Sequence, residues 1–220
     1  MNILLLVSAF NGMSQRAWCL LRSRGHDVTV ELAPAHDSAE ALLPMVHAAA
    51  PDLIICPFLK HRVPAQVWQK WPTVIIHPGP IGDRGPSSLD YAIMDGERQW
   101  GVTALSAVEE MDAGPVWASR IFPMPDEPAA KAELYNGPVT DAALSCIAEV
   151  IEKARDPQFQ PVPQDKMPRP VPTATARPPM RRADRFFEWT HPAAEIVRRI
   201  RAADSAPGVR TQIEGTTVQV

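Results

Sequence analysis

Two residues of this 220-residue chain, His77 and Asp112, stand where a proton could be moved and a charge held. His77 ends a strand-like run, residues 73–76, and is followed by a stretch, 78–86, in which glycines and prolines surround Asp83 and Arg84. Histidine titrates near neutrality and can give or take a proton during a reaction. Asp112 lies in the turn-forming stretch 109–114, two residues before Gly114. A carboxylate beside a histidine orients the ring and favours its cationic form. The pair together offers what an acyl-transfer site needs. Taken singly, each has a structural explanation as a hydrogen-bonded strand-end histidine or a turn aspartate. The loop after His77 shifts the balance, because shaped loops at strand ends are where α/β proteins bind and react.

Weaker candidates follow other strand ends. Cys56, Pro57, Phe58, Leu59 and Lys60 come after a third apolar run, so their backbone should share an edge with His77; the alternative is a strand end that simply buries Phe58. Gln15 and Arg16 open a helix after the first strand, where Arg16 either meets an anionic group or is solvated. Asp83 and Arg84 either pair with each other to shape the loop or reach substrate, and Gly85 is a binding candidate in the same loop. Ser87 and Ser88 read as helix caps rather than nucleophiles, with Ser87 carried as a binding candidate. His36, His47, His61 and His191 have no neighbours at metal-ligand spacing, so no metal is expected.

The elements that must position these residues are legible from periodicity. Residues 3–8 form a short apolar strand, Ser14 offers a cap to a helix over 15–24, and Gly25 ends it. Strand 27–32, helix 38–50 and strand 53–56 continue a β-α-β-α-β order, and a helical piece near 63–70 leads to strand 73–76. The expected fold is therefore α/β, a doubly wound and mostly parallel sheet with helices on both faces. A helix from Ser87 or Ser88 to Asp95, strands over 100–107 and 116–122, and a long helix over 133–154 disturbed at Gly137-Pro138 complete a domain of residues 1–155. Eight prolines between Pro157 and Pro179 mark 156–183 as an extended linker. Residues 184–220, with a helix over 192–202 and two strand-like runs joined by Gly215, read as the beginning of a small β-rich module. The chain stops inside a strand, as a fragment of something longer would.

Composition narrows the class. No apolar run reaches the roughly 18 residues of a membrane span, and the apolar opening lacks the basic start of a secretory signal. A cytoplasmic protein is expected, with no membrane partner. Cys19, Cys56 and Cys146 are too few and too scattered for a disulfide framework. Residues 1–155 carry 12 basic and 18 acidic side chains, and 156–220 carry 10 and 7. That mild basic excess could favour a phosphorylated ligand or RNA, but solvated arginines explain it, and no nucleic-acid partner is expected.

Two strings carry a resemblance. IIHPGPIGDRGPSSLDYAI, starting at Ile75, and WGVTALSAVEEMDAGPVW, starting at Trp100, resemble the formyltransferases that use 10-formyltetrahydrofolate, such as methionyl-tRNA formyltransferase. In that family an Asn-x-His at a strand end, a glycine-containing loop and an Asp before a Gly form the active site; His77 and Asp112 match. FFEWTHPAAEIVRRIRAADSAPGVRTQIEG, from Phe186, is similar to the start of the family's C-terminal β-barrel-like domain. At the Asn position this chain has Ile75, which can donate no hydrogen bond to the oxyanion of a tetrahedral intermediate. Loss of one such donor typically costs about 10²–10³ in rate.

CPFLKHRVP at Cys56, HPGPIGDRGPSSLDYAI and EMDAGPVW further resemble the HypX or HoxX family, accessory proteins of nickel-iron hydrogenase maturation. That resemblance implies a formyl-tetrahydrofolate domain followed by an enoyl-CoA-hydratase-like domain. Together they would turn the formyl group into carbon monoxide for the hydrogenase iron, with coenzyme A as acceptor and transient contact with other maturation proteins. With a folate as ligand, residues 56–60 are candidates to grip the pterin from their place after the third strand, burial of Phe58 being the alternative. A thiol, with a pKa of about 8.5, needs less help to become a nucleophile than an ammonium, so a protonated His77 and loop N–H groups could serve the oxyanion. Two other readings stay open: formylation of an amine on an aminoacyl-tRNA or nucleotide sugar, against which Ile75 argues, and a folate-binding module without catalysis, against which the His77–Asp112 pair argues.

Overall fold

The computed structural model describes residues 1–34, 38–127, 129–204 and 208–220; His36 lies outside them. Eight strands and seven α-helices run through the described residues, with short 3-10 and π turns between them. The first half alternates strand and helix: β1 (Asn2–Val7), α1 (Gly12–Ser23), β2 (Asp27–Leu32), α2 (Ala39–Ala49), β3 (Leu53–Cys56), α3 (Ala65–Trp68), β4 (Thr73–His77) and α4 (Ser88–Asp95). Then come β5 (Gln99–Ser106) and β6 (Val116–Pro123). These six strands form one sheet in the order β2-β1-β3-β4-β5-β6. The first four are parallel, and β5 and β6 add antiparallel at one end.

Two-sided burial explains why the central strands are continuous apolar runs. Ile3 and Leu5 of β1, with Leu53 and Ile55 of β3, face α1, α4 and the long helix α6 (Thr140–Ala154). Their neighbours Leu4, Leu6, Ile54 and Cys56 face the opposite way, against Leu42 and Val46 of α2 and Val67 of α3. Successive side chains of a strand alternate faces, so β1 and β3 glue both helix layers to the sheet.

Two features differ from the sequence reading, and one expected disturbance is present. Helix α1 starts earlier than expected, because Asn11 rather than Ser14 is the cap: its side-chain oxygen accepts the Ser14 N–H at 3.0 Å. The long final helix is interrupted where Gly137-Pro138 falls. Lys131–Leu134 (α5) leads into a π turn, Tyr135–Val139, before α6 begins. Proline removes a helix donor and clashes with the preceding turn, and the wide turn accommodates both faults.

The second difference is the proline-rich stretch. Among the described residues, 156–183 form no α-helix and no named strand, only turns and short 3-10 pieces such as Gln164–Lys166, and they are strapped to the sheet rather than free. Val162 exchanges both backbone hydrogen bonds with Val116 at the start of β6, at 2.7 and 3.0 Å. Val171 and Ala174 join the main core, and the Met180 N–H donates to Ser87 Oγ at 2.9 Å. The strap leads to α7 (Ala193–Ala202) and the hairpin β7 (Arg210–Ile213) and β8 (Thr216–Gln219), which turn at Gly215. This end module docks on α4: Arg185 donates to Asp90 Oδ1 at 2.7 Å and Arg198 Nε to the Met94 carbonyl at 3.1 Å. Among the described residues no helix is long and apolar enough to cross a membrane.

Candidate active site

A cavity of about 950 Å³ wraps around the carboxyl end of β4. Its wall includes Ile75 and His77 of β4, the loop from Pro57 to Ala65 after β3, Gly85 and Pro86, the stretch from Leu105 to Asp112, and Tyr135 and Asn136 of the π turn. The loops after β3 and β4 arrive as a parallel sheet dictates, beyond the carboxyl ends of the strands. Asp112 comes by another route. The chain leaves β5 opposite the amino end of β4, where the Ala107 N–H donates to the Thr73 carbonyl at 2.8 Å. The turn then folds back to bring Asp112 beside His77.

His77 lies between two carboxylates. Nε2 is 2.8 Å from Asp83 Oδ2, a buried hydrogen bond, and Nδ1 is 3.5 Å from Asp112 Oδ2, beyond a well-formed one. Asp112 lines the cavity with His77, whereas Asp83 does not. Burial alone would push the His77 pKa down. The Asp83 hydrogen bond and the charges of Asp112 and Asp83 outweigh it, and the net direction is up. Asp112 Oδ2 also accepts the Gly85 N–H at 3.0 Å. Gly85 has φ of 115°, which side-chain-bearing residues avoid, and Asp112 itself sits at φ 54°, in the left-handed region that aspartate tolerates better than most.

Gly79 makes the Asp83 contact sterically possible. A Cβ there would lie 2.2 Å from Asp83 Oδ2 and 2.4 Å from His77 Nε2. The loop is braced from below: Ser88 Oγ donates to the Pro78 carbonyl at 2.7 Å, Trp100 Nε1 to the same carbonyl at 3.0 Å, and Thr103 Oγ1 to the Gly79 carbonyl at 2.8 Å.

The residues expected from sequence separate into two groups. His77, Asp112, Phe58, Leu59, Lys60, Ile75 and Gly85 all line the cavity. Phe58 meets Tyr135 edge to face at 6.1 Å, and the Lys60 ammonium sits 5.5 Å from the Phe58 ring centre. The other four face elsewhere. Arg16 pairs with Asp141 at 2.7 Å, and Gln15 donates to the Phe10 carbonyl at 3.0 Å. Ser87 accepts from the strap, and Arg84 pairs with Glu110. Mutual pairing, one of the two readings for Asp83 and Arg84, is not what is found: Asp83 turns inward to His77 and Arg84 outward to Glu110. Cys56 is fully buried and its thiol pKa is pushed up by burial, which leaves no nucleophile there.

Sequence reasoning passed over Asp83 as a partner of His77, and passed over Gln164. The amide of Gln164 ties the strap to both loops: Nε2 donates to the carbonyls of Asp112 and Gly114, and Oε1 accepts the Gly82 N–H at 3.3 Å. The signal for Asp83 was present, an acid in a Gly/Pro loop six residues from the histidine. Gln164 had none, because 52 residues separate it from Asp112. Among the described residues there is no cluster of metal-ligating side chains.

Comparison with known proteins meets this geometry. The family described as formyl transferase matches residues 19–137, and the formyl transferase C-terminal domain matches 179–220. Hydrogenase maturation factor HoxX of Bradyrhizobium diazoefficiens is 41% identical over 210 residues, which are 95% of this chain and 36% of HoxX. The crystal structure of HypX from Aquifex aeolicus in complex with tetrahydrofolic acid matches with a TM-score of 0.90 and 42% identity, covering 100% of this chain and 37% of that one. A methionyl-tRNA formyltransferase of Roseiflexus sp. is 34% identical over 152 residues, 67% of this chain and 43% of its own. The chain thus spans little more than a third of the length of HoxX and HypX. With both of its domains matched around a histidine and an aspartate that share one cavity, the chain belongs to the formyl transferase family.

Proposed function

We propose that this chain binds 10-formyltetrahydrofolate in the cavity beside His77 and passes its formyl group to a thiol, that of coenzyme A, for carbon monoxide ligand synthesis in nickel-iron hydrogenase maturation. The observation that carries this reading is the seating of His77 between Asp83 and Asp112 on a cavity where Ile75 offers no donor. A volume of about 950 Å³ suits a ligand of folate size. Likeness to HypX, which has been crystallised with tetrahydrofolic acid, supports the donor.

The residues divide the work as follows. Asp112 takes the thiol proton, and the thiolate sulfur bonds to the formyl carbon. The oxyanion so formed faces His77 Nδ1–H, which stabilises it. As the intermediate collapses, the bond from carbon to N10 breaks and Asp112 returns the proton to that nitrogen. Phe58 and Tyr135 offer an edge-to-face aromatic corner for a flat ring, and Lys60 lies beside it. Conversion of the resulting thioester to carbon monoxide belongs to a second site, which the resemblance assigns to an enoyl-CoA-hydratase-like domain.

Calorimetric titration with a tetrahydrofolate analogue, paired with a spectroscopic assay of formyl release in the presence of coenzyme A, tests the reading. Saturable heat and coenzyme A-dependent loss of the formyl group are expected. The absence of heat at millimolar ligand sinks it.

A further inference from the structure

We propose that Asp83 is a positioning residue that keeps the His77 imidazole charged and its ring fixed, so that His77 Nδ1–H supplies the oxyanion hydrogen bond that Ile75 cannot. The inference deepens the formyl-transfer reading and rests on it.

The two carboxylates around His77 are not equivalent. Asp83 is 3% exposed, lies outside the cavity wall and meets Nε2 at 2.8 Å. Asp112 borders the cavity, is already engaged by the Gly85 N–H, and stands 3.5 Å from Nδ1. The inner contact therefore commits the Nε2 proton, and the outer one leaves the Nδ1 proton available to something arriving in the cavity. A neutral ring with its proton on Nε2 would present a bare nitrogen at Nδ1, an acceptor, and would repel an oxyanion. Only the doubly protonated ring donates in both directions. Two anionic neighbours favour that form, and a buried cation is tolerated where it is paired and hydrogen-bonded.

The loop is built to deliver this arrangement. The Asp83 N–H donates to the Pro80 carbonyl at 3.0 Å, which closes a turn that aims the side chain back at the strand. Gly79 leaves the space that any side chain would fill. Ile75 lies on the same strand two residues before His77, so its side chain shares the histidine's side of β4. The missing donor and the charged ring thus face one region of the cavity, and the second makes good the first.

The test is ring-nitrogen NMR of the 220-residue chain labelled at its six histidines, with His77 assigned by loss of its signals in His77→Gln. Across a pH series the parent should show both His77 nitrogens protonated at neutral pH. Asp83→Asn, which keeps an acceptor and removes the charge, should lower the titration midpoint by about 1–3 units, the range expected when an opposite charge at this distance is lost. In the formyl-release assay the same variant should lose kcat while KM for the formyl donor is held. An unchanged midpoint in Asp83→Asn overturns the proposal. Should that variant fail to fold, the parent decides alone, since a bare Nε2 or Nδ1 at neutral pH overturns it equally. If the parent binds no folate and releases no formyl group, the underlying reading has failed, and the oxyanion role falls with it even where the spectra show the charged ring.

Discussion

Gln164 Nε2 donates to the backbone carbonyl of Asp112 at 2.8 Å, and with a second bond to Gly114 at 3.0 Å it holds the acidic turn from outside the cavity. Asp112 keeps a left-handed backbone, a conformation that must be enforced by its surroundings. Gln164→Ala should therefore lower formyl-transfer kcat by about tenfold to a hundredfold, the scale of a displaced catalytic group. Each lost hydrogen bond should cost stability of about 0.5–1.5 kcal/mol. Steady-state kinetics beside a urea melt will check both; wild-type kcat in a destabilised variant would show that the strap supports the fold and not the site.

His77→Ala and Asp112→Asn should each reduce turnover of the formyl donor by about 10²–10⁴-fold, the usual contribution of a positioned acid or base. Both chains should stay folded by circular dichroism. Activity within a few-fold of the parent in either variant would mean that the proton handling has been assigned to the wrong residues.

Gly79→Ala should behave as a wedge. Its methyl group would enter the space between Asp83 and His77, and overpacking of a tight site costs about 1–3 kcal/mol. The variant should melt lower and lose activity together. A crystal structure of Gly79→Ala with the contact from His77 to Asp83 still at its present length would contradict the expectation.

Two histidines should give the stability profile opposite slopes. The His77 pKa is raised above its usual 6.5 in the folded chain, so its contribution is present in full below that value and is lost as pH rises through the folded value. His26 is buried and neither ring nitrogen has a hydrogen-bond partner among the described residues. Burial, helped by the N-terminal ammonium, pushes its pKa down. Its contribution is present above 6.5 and is lost as pH falls through the lowered value. Thermal melts from acid to mildly alkaline pH should show the gap between parent and His77→Gln shrinking as pH rises, and the gap to His26→Gln shrinking as pH falls. Gaps that do not change with pH would refute both signs.

The parallel half of the sheet was legible because β1 and β3 are buried on both faces and so carry unbroken apolar runs. His77 and Asp112 were legible because a histidine ends such a run and an aspartate sits in a turn with glycine. Asp83 was not, since a one-dimensional pattern cannot say which of two adjacent charged residues turns inward, and here it is Asp83 rather than Arg84. Arg16 and Gln15 were drawn toward the site by their position after β1, yet they point along the helix surface, where Asp141 and the Phe10 carbonyl satisfy them. The strap escaped for a similar reason. Its prolines constrain only the local backbone, and its attachments are made to residues far away in the chain.

That strap has a second effect on the sheet. Strand β6 is an edge, and an edge strand with free N–H and C=O groups can recruit another chain. At Val116 both groups are taken by Val162, which Pro161 and Pro163 flank without an N–H of their own. Pairing there can neither lengthen nor be copied by a neighbour, so the segment that steadies the acidic turn also closes this end of β6 to edge-to-edge aggregation.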